Sequence, residues 1–130
     1  MFSKQYSAAA AGMAAAGLVL AGAPAATAAP ASVVRSFYVE YGASYASGTA
    51  TFTNRTVLLE GTLHAVGCGR SVYGYSYAGP NYLGTASSTP RCDGNWPIDI
   101  PVPANKPGGA DRVLIQLDAP DGANSEWFYR

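Results

Sequence analysis

The stretch Thr49–Ala65, TATFTNRTVLLEGTLHA, decides the fold. In its second half Val57, Leu59, Gly61, Leu63 and Ala65 share one parity, while Thr56, Glu60, Thr62 and His64 take the other; Leu58 alone breaks the rule. Alternation at period two marks a β-strand with one buried face. In the first half, Ala50 and Phe52 are the apolar positions of a Thr-rich strand, Thr49 to Thr53. Apolar parity therefore changes from even to odd across Asn54 and Arg55. One continuous strand would send half of these apolar groups to water, so a tight hairpin or a bulge is required there.

The same period recurs on both sides of this stretch, and no segment has a 3.6-residue period. Upstream, Val33 to Tyr41 alternates with Phe37 and Val39 inward. Downstream, Arg70 to Ala78 alternates, and so does the run of Trp96, Ile98, Ile100 and Val102. The latter run carries Pro97, Pro101 and Pro103 on its other parity. An imide nitrogen cannot donate to a ladder, which makes this an edge strand or a polyproline-like strip. Asn105 to Gly109 is a loop, and Val113, Ile115, Leu117 and Ala119 mark a further strand. Pro120, Asp121 and Gly122 form a turn that leads to a last strand at Glu126 to Tyr129. Seven or eight short strands at this spacing predict an all-β domain: a small two-sheet sandwich with immunoglobulin-like, Greek-key connections. A small barrel would give the same pattern.

The N-terminal segment is of another kind. Met1 to Ser7 is polar with Lys4 as its one side-chain cation, and Ala8 to Ala21 is uncharged and apolar. As a helix the apolar stretch is roughly 21 Å long, short of the ~30 Å core of a bilayer. With Pro24 as a breaker and Ala26, Thr27 and Ala28 as a small-x-small site, residues 1–28 read as a cleavable secretory signal peptide. Residues 29–130 are then a single exported all-β domain starting at Ala29. Without Lys4, that domain has seven Lys and Arg against eight Asp and Glu. Six of these cations are isolated arginines. Such a balance has no electrostatic footprint for nucleic acid or for an anionic membrane once the leader is removed.

Both cysteines, Cys68 and Cys92, lie in the exported part, where an oxidising compartment pairs them. With no C-x-x-C and one histidine, the chain has no zinc or redox signature, and no cofactor motif is present. Serine chemistry has no support either, because Gly69 to Val72 lacks the second glycine of a nucleophile elbow. His64 falls on the polar face of its strand, about 13 Å along the strand from Glu60 by the rise per residue. It reads as a solvent-facing histidine with no other group directed to it. Asp118, Asp121, Asn124 and Glu126 are the best cation candidate, but Pro120 stands where a ligand belongs, and a Pro-Asp-Gly hairpin explains the segment. Asn54, Arg55 and Thr56 match a glycosylation sequon and read as a polar turn.

The most unusual feature is Tyr73, Tyr75 and Tyr77 at strand alternation, with Val72, Gly74, Ser76 and Ala78 between them. Either the tyrosines form a core wall, as aromatic stripes more often do, or the small residues face the core and the tyrosines make an exposed ribbon. The first needs three buried hydroxyl partners. The second suits recognition, because each ring offers wide contact with few rotors to freeze. Tyr82 extends such a ribbon, and Arg91 and Trp96 beside the disulfide are a second group of adhesive side chains.

The Ala-rich leader resembles those of high-GC actinobacteria. In size, export and β character the chain is similar to the small secreted binders and inhibitors of that group. The α-amylase inhibitors among them use an exposed Trp-Arg-Tyr triplet. Here the nearest segment, Trp127 to Arg130, has another order and lies at the end of the chain, so that activity does not carry over. The expected function is a secreted, non-enzymatic domain that binds an extracellular protein or glycan through Tyr73, Tyr75, Tyr77, Tyr82, Arg91 and Trp96. An enzyme inhibitor acting through Gly69 to Arg91 is one form of it. The alternatives are a small secreted hydrolase, such as a ribonuclease using His64 with a carboxylate, and a structural protein of the cell envelope or spore surface.

Overall fold

In the computed structural model, residues 31–130 are described; the expected leader, residues 1–28, and its cleavage point lie outside the described residues. Eight strands follow in chain order: β1 Val33–Tyr41, β2 Ser44–Phe52, β3 Thr56–Ala65, β4 Ser71–Ala78, β5 Asn81–Ser87, β6 Gly94–Pro103, β7 Arg112–Ala119 and β8 Gly122–Tyr129. They form two antiparallel four-stranded sheets, β1-β2-β3-β6 and β5-β4-β7-β8. Among the described residues no helix is long and apolar enough to cross a membrane.

Each expected alternation becomes one side of the core. Phe37 and Val39 of β1, Val57, Leu59, Leu63 and Ala65 of β3, Ile98, Ile100 and Val102 of β6, and Val113, Ile115 and Leu117 of β7 are buried between the sheets. The parity change is a hairpin: Phe52 pairs with Val57, and the Thr53 amide donates to the Thr56 carbonyl at 2.8 Å. The proline-bearing β6 is the edge strand beside β3. Pro120 and Asp121 form the two-residue link between β7 and β8, where Ala119 pairs with Gly122.

Three elements differ from the sequence reading. β2 starts at Ser44 instead of Thr49, because Ser44 and Ala46 continue the inward parity with side chains too small to register as a hydrophobic pattern. β8 starts at Gly122 instead of Glu126, since it is an edge strand whose exposed residues carry no alternation. β5, NYLGTAS, has no distinct sequence signal and is held by its pairing with β4.

The chain crosses between sheets three times. The β3–β4 and β6–β7 crossings interlock: β3 lies beside β6 in one sheet while β4 lies beside β7 in the other. This is a Greek-key return, with β6 coming back beside β3 after the β4–β5 hairpin. Cys68 and Cys92 are bonded, which joins the β3–β4 connection to the β5–β6 connection. At the open side, Arg35 Nε donates to the Tyr129 carbonyl and Asn124 Nδ2 to the Glu40 carbonyl, which ties edge β1 to edge β8. Edge carbonyls occupied in this way are blunted against strand addition.

Candidate functional site

On β4 the small residues take the inward parity. Val72, Gly74 and Ser76 are buried, while Tyr73, Tyr75 and Tyr77 are half-buried on the outer face of the sheet. The core-wall alternative is thereby corrected, and the reason is close sheet approach. A Cβ on Gly74 would lie 2.6 Å from Val102 Cγ2 and 3.0 Å from Leu59 Cδ1. The Ser76 hydroxyl donates to the Pro103 carbonyl at 2.5 Å across the sandwich. Opposite Gly74 there is no room for a larger side chain, and β4 turns its small residues inward and its rings outward.

The pairing of β4 with its neighbours builds a patch around these tyrosines. Tyr77 pairs with Tyr82 on β5 and with Arg112 on β7, and Arg112 pairs in turn with Tyr129 on β8. The next row along is Thr85, Tyr75, Leu114 and Trp127, followed by Ser87, Tyr73, Gln116 and Ser125. Tyr77 meets Tyr82 at 5.6 Å and Trp127 at 5.2 Å between ring centroids, with planes inclined at 63° and 66°. Tyr73 and Tyr75 lie nearly parallel, 6.2 Å apart. The Arg112 guanidinium sits over both the Tyr77 and the Trp127 rings, at 5.1 and 4.9 Å. Edge-on aromatic contacts and cation–π stacking hold these side chains in fixed poses. Tyr82, Trp127 and Tyr129 are 53%, 41% and 61% exposed, far above what a core aromatic shows.

Of the side chains singled out in the sequence, the four tyrosines 73, 75, 77 and 82 share this face. Arg91 and Trp96 do not. Arg91 bridges to Arg70, just before β4, about 23 Å along the strand from Tyr77 by the rise per residue. There its guanidinium lies 4.6 Å over Trp96, whose Nε1 donates to the Cys92 carbonyl. Trp96 is on β6 of the other sheet, half-buried. These two therefore belong to the disulfide end. Sequence reasoning missed Arg112, Leu114, Trp127 and Tyr129 as members of the face. Their signal was the parity of β7 and β8: Trp127 and Tyr129 share one side, while Phe128 turns the other way and meets Phe37 at 6.1 Å.

Burial raises the Tyr75 hydroxyl above its ordinary value of 10.0, and the Asp118 carboxylate adds to the rise. The folded state therefore keeps this proton after the unfolded chain has begun to lose it. Stability from Tyr75 is intact below pH 10 and falls as pH climbs above it. Thermal unfolding at about pH 9 and pH 11 checks the sign: wild type should lose more stability over this interval than Tyr75→Phe. An equal loss in both would contradict the assignment.

The opposite sheet has a smaller aromatic feature. His64 is not the isolated histidine expected from its strand. It stacks on Tyr45 at 5.0 Å, Tyr45 stacks on Tyr38 at 5.5 Å, and its Nδ1 is 2.7 Å from Asn95 Oδ1. Cross-strand register causes this, since Tyr45, His64 and Asn95 are direct neighbours on β2, β3 and β6. Nearby, Tyr38 donates to Glu40 at 3.0 Å; that hydrogen bond, followed by slight desolvation and the Glu40 charge, raises the Tyr38 hydroxyl. Asp118 in the acidic segment accepts from Gln116 Nε2 at 2.7 Å, and Asn54 Oδ1 accepts the Gly108 amide. No family model, curated protein or solved structure matches the chain.

Proposed function

We propose that the protein is a secreted, non-enzymatic binding domain that holds an extracellular protein or glycan on the outer face of the β5-β4-β7-β8 sheet. The observation that carries this reading is the shared face of Tyr73, Tyr75, Tyr77, Tyr82 and Trp127, partly open to solvent, with Tyr77 and Trp127 held under the Arg112 guanidinium. Exposed, pre-ordered aromatic and arginine side chains are what binding hot spots are made of, because little entropy is lost when they dock. His64 supports the same reading, as its partners are an amide and a tyrosine ring that fix it within a stack.

Secretion is tested at the chain start. Protein collected from culture medium is expected to begin at Ala29 by mass spectrometry, and an exported form that retains Met1 would remove this half of the reading. The binding half is tested by single Ala replacements of Tyr73, Tyr75, Tyr77, Tyr82 and Trp127. Each is expected to change unfolding free energy by about 1 kcal/mol or less, as partly exposed aromatic contacts do. Each should also weaken binding to arrayed extracellular proteins or polysaccharides by roughly 1–2 kcal/mol or more. Variants that bind like wild type would move the site off this face.

A further inference from the structure

Three properties of the aromatic face narrow its occupant. The first is spacing. Across the strands, from β5 to β8, Tyr82, Tyr77 and Trp127 succeed one another at 5.6 and 5.2 Å. Each step is about the length of one pyranose ring. Both steps are inclined, at 63° and 66°, so the three rings are not one flat platform; the exposed rings are Tyr82 and Trp127, one on each edge strand, flanking the half-buried Tyr77.

The second is charge. The face carries Arg112 and Asp118, and each already has partners within the protein. Arg112 donates through Nη1 to the Gly79 carbonyl at 2.7 Å and pairs with Asp111 at 3.3 Å, while its guanidinium lies over two rings. Asp118 accepts from Gln116. An ionic ligand would have to compete with these contacts, whereas a neutral one would not. The remaining polar groups are hydroxyls and amides: tyrosine hydroxyls, Thr85, Ser87, Ser125 and Gln116. They can exchange hydrogen bonds with sugar hydroxyls without burying a charge.

The third is shape and size. No cavity opens among the described residues, so the face has no socket for a small molecule. The aromatic part covers three rows of four strands, roughly 14 by 14 Å from strand and residue spacings. That is about a quarter of the ~800 Å² that each partner gives to a standard protein interface. A single extended polymer chain fits this strip.

We propose that the occupant is a neutral, extended polysaccharide chain laid across the strands, its sugar C–H faces against the exposed Tyr82 and Trp127 rings and spanning the half-buried Tyr77 between them. This rests on the binding reading above and names the ligand of the same face. The experiment is depletion of the protein from solution by insoluble cellulose, by chitin and, as the anionic comparison, by polygalacturonate gel. Both neutral and anionic arms are run at low salt and at about 1 M salt, where charge attraction is screened beyond ~3 Å. The expected result is salt-insensitive depletion by cellulose or chitin, reduced about tenfold or more by Tyr82→Ala and by Trp127→Ala, both outward-facing and expected to fold. Circular dichroism and a melting curve on each variant establish that it is folded. Absence of depletion by either neutral polymer, or salt-sensitive depletion by polygalacturonate alone, overturns the ligand assignment. If folded variants then lose affinity for an arrayed protein, the binding face stands and only its glycan ligand is lost. If cellulose or chitin deplete wild type and both variants equally, the ligand class is right but the face is wrong, and both proposals fail as stated.

Discussion

Replacing Gly48 with alanine is expected to unfold the protein under conditions in which most single substitutions leave it intact. Gly48 on β2 and Gly61 on β3 stand directly opposite each other, in the cross-sheet row between Phe37 and Ile98. A methyl group on Gly48 would collide with the Glu60 carbonyl oxygen and come within 2.7 Å of the Gly61 Cα. A methyl on Gly61 would collide with the Ser47 carbonyl oxygen in the same way. These obstacles are backbone atoms, which cannot rotate aside as a side chain can. The strands would have to separate in the middle of their ladder and release hydrogen bonds on both sides. A cost of about 3–5 kcal/mol follows, at the extreme of single-substitution effects and comparable to the total stability of a small domain. Urea unfolding of Gly48→Ala measures it. A midpoint close to that of wild type would show that the two strands have slack that the structure does not display.

The second large effect is expected from the disulfide. Replacing Cys68 and Cys92 together by serine removes a cross-link over 24 residues, worth about 3.5 kcal/mol by chain entropy. Its position adds to this, since it fastens two of the three connections by which the chain changes sheets. Around it, Arg70 Nη1 donates to the Cys68 carbonyl, Trp96 Nε1 to the Cys92 carbonyl, and the backbones of Arg70 and Arg91 exchange two hydrogen bonds. These contacts depend on the two connections staying together. The double variant, or the reduced protein, should melt about 15–25 °C below the oxidised form, at ~4–8 °C per kcal/mol for this size. A shift of only a few degrees would mean that the β3–β4 and β5–β6 connections hold together by packing alone.

How far the fold could be read from sequence depended on how many side chains carried contrast. β3, β6 and β7 alternate branched aliphatic residues with polar ones or proline, and their inward faces were legible residue by residue. β5 and the first half of β2 are mostly serine, glycine, alanine and threonine, with Tyr45, Tyr82 and Leu83 too few to reveal a face. The candidate site was legible in half. Tyr73, Tyr75 and Tyr77 sit on one strand, so their common face follows from local geometry alone. Arg112 and Trp127 join them through the β4–β7 and β7–β8 registers, which are long-range facts. The direction of the tyrosines was likewise undecidable from β4. It is set by Val102 and Leu59 on the other sheet, which come so near that only a glycine fits opposite them.

The hold of Arg130 on its surroundings bears on how the molecule can be rewired. Its guanidinium donates to the carbonyls of Thr53 and Gly108 at 3.1 and 3.0 Å, and to Ala31 at 3.3 Å, at the start of the described chain. The last residue is thus moored to the entry of β1 and to the β2–β3 turn, at the end of the sandwich away from the disulfide. Points of a chain that lie this close together tolerate being joined. A circular permutant of residues 31–130 alone, which links Arg130 to Ala31 by a few glycines and serines and opens instead at the exposed Asp121–Gly122 turn, would keep both sheets and the disulfide. Its new ends would emerge at the opposite pole of the domain, so that the same eight strands could be displayed from a support with the aromatic face turned end for end.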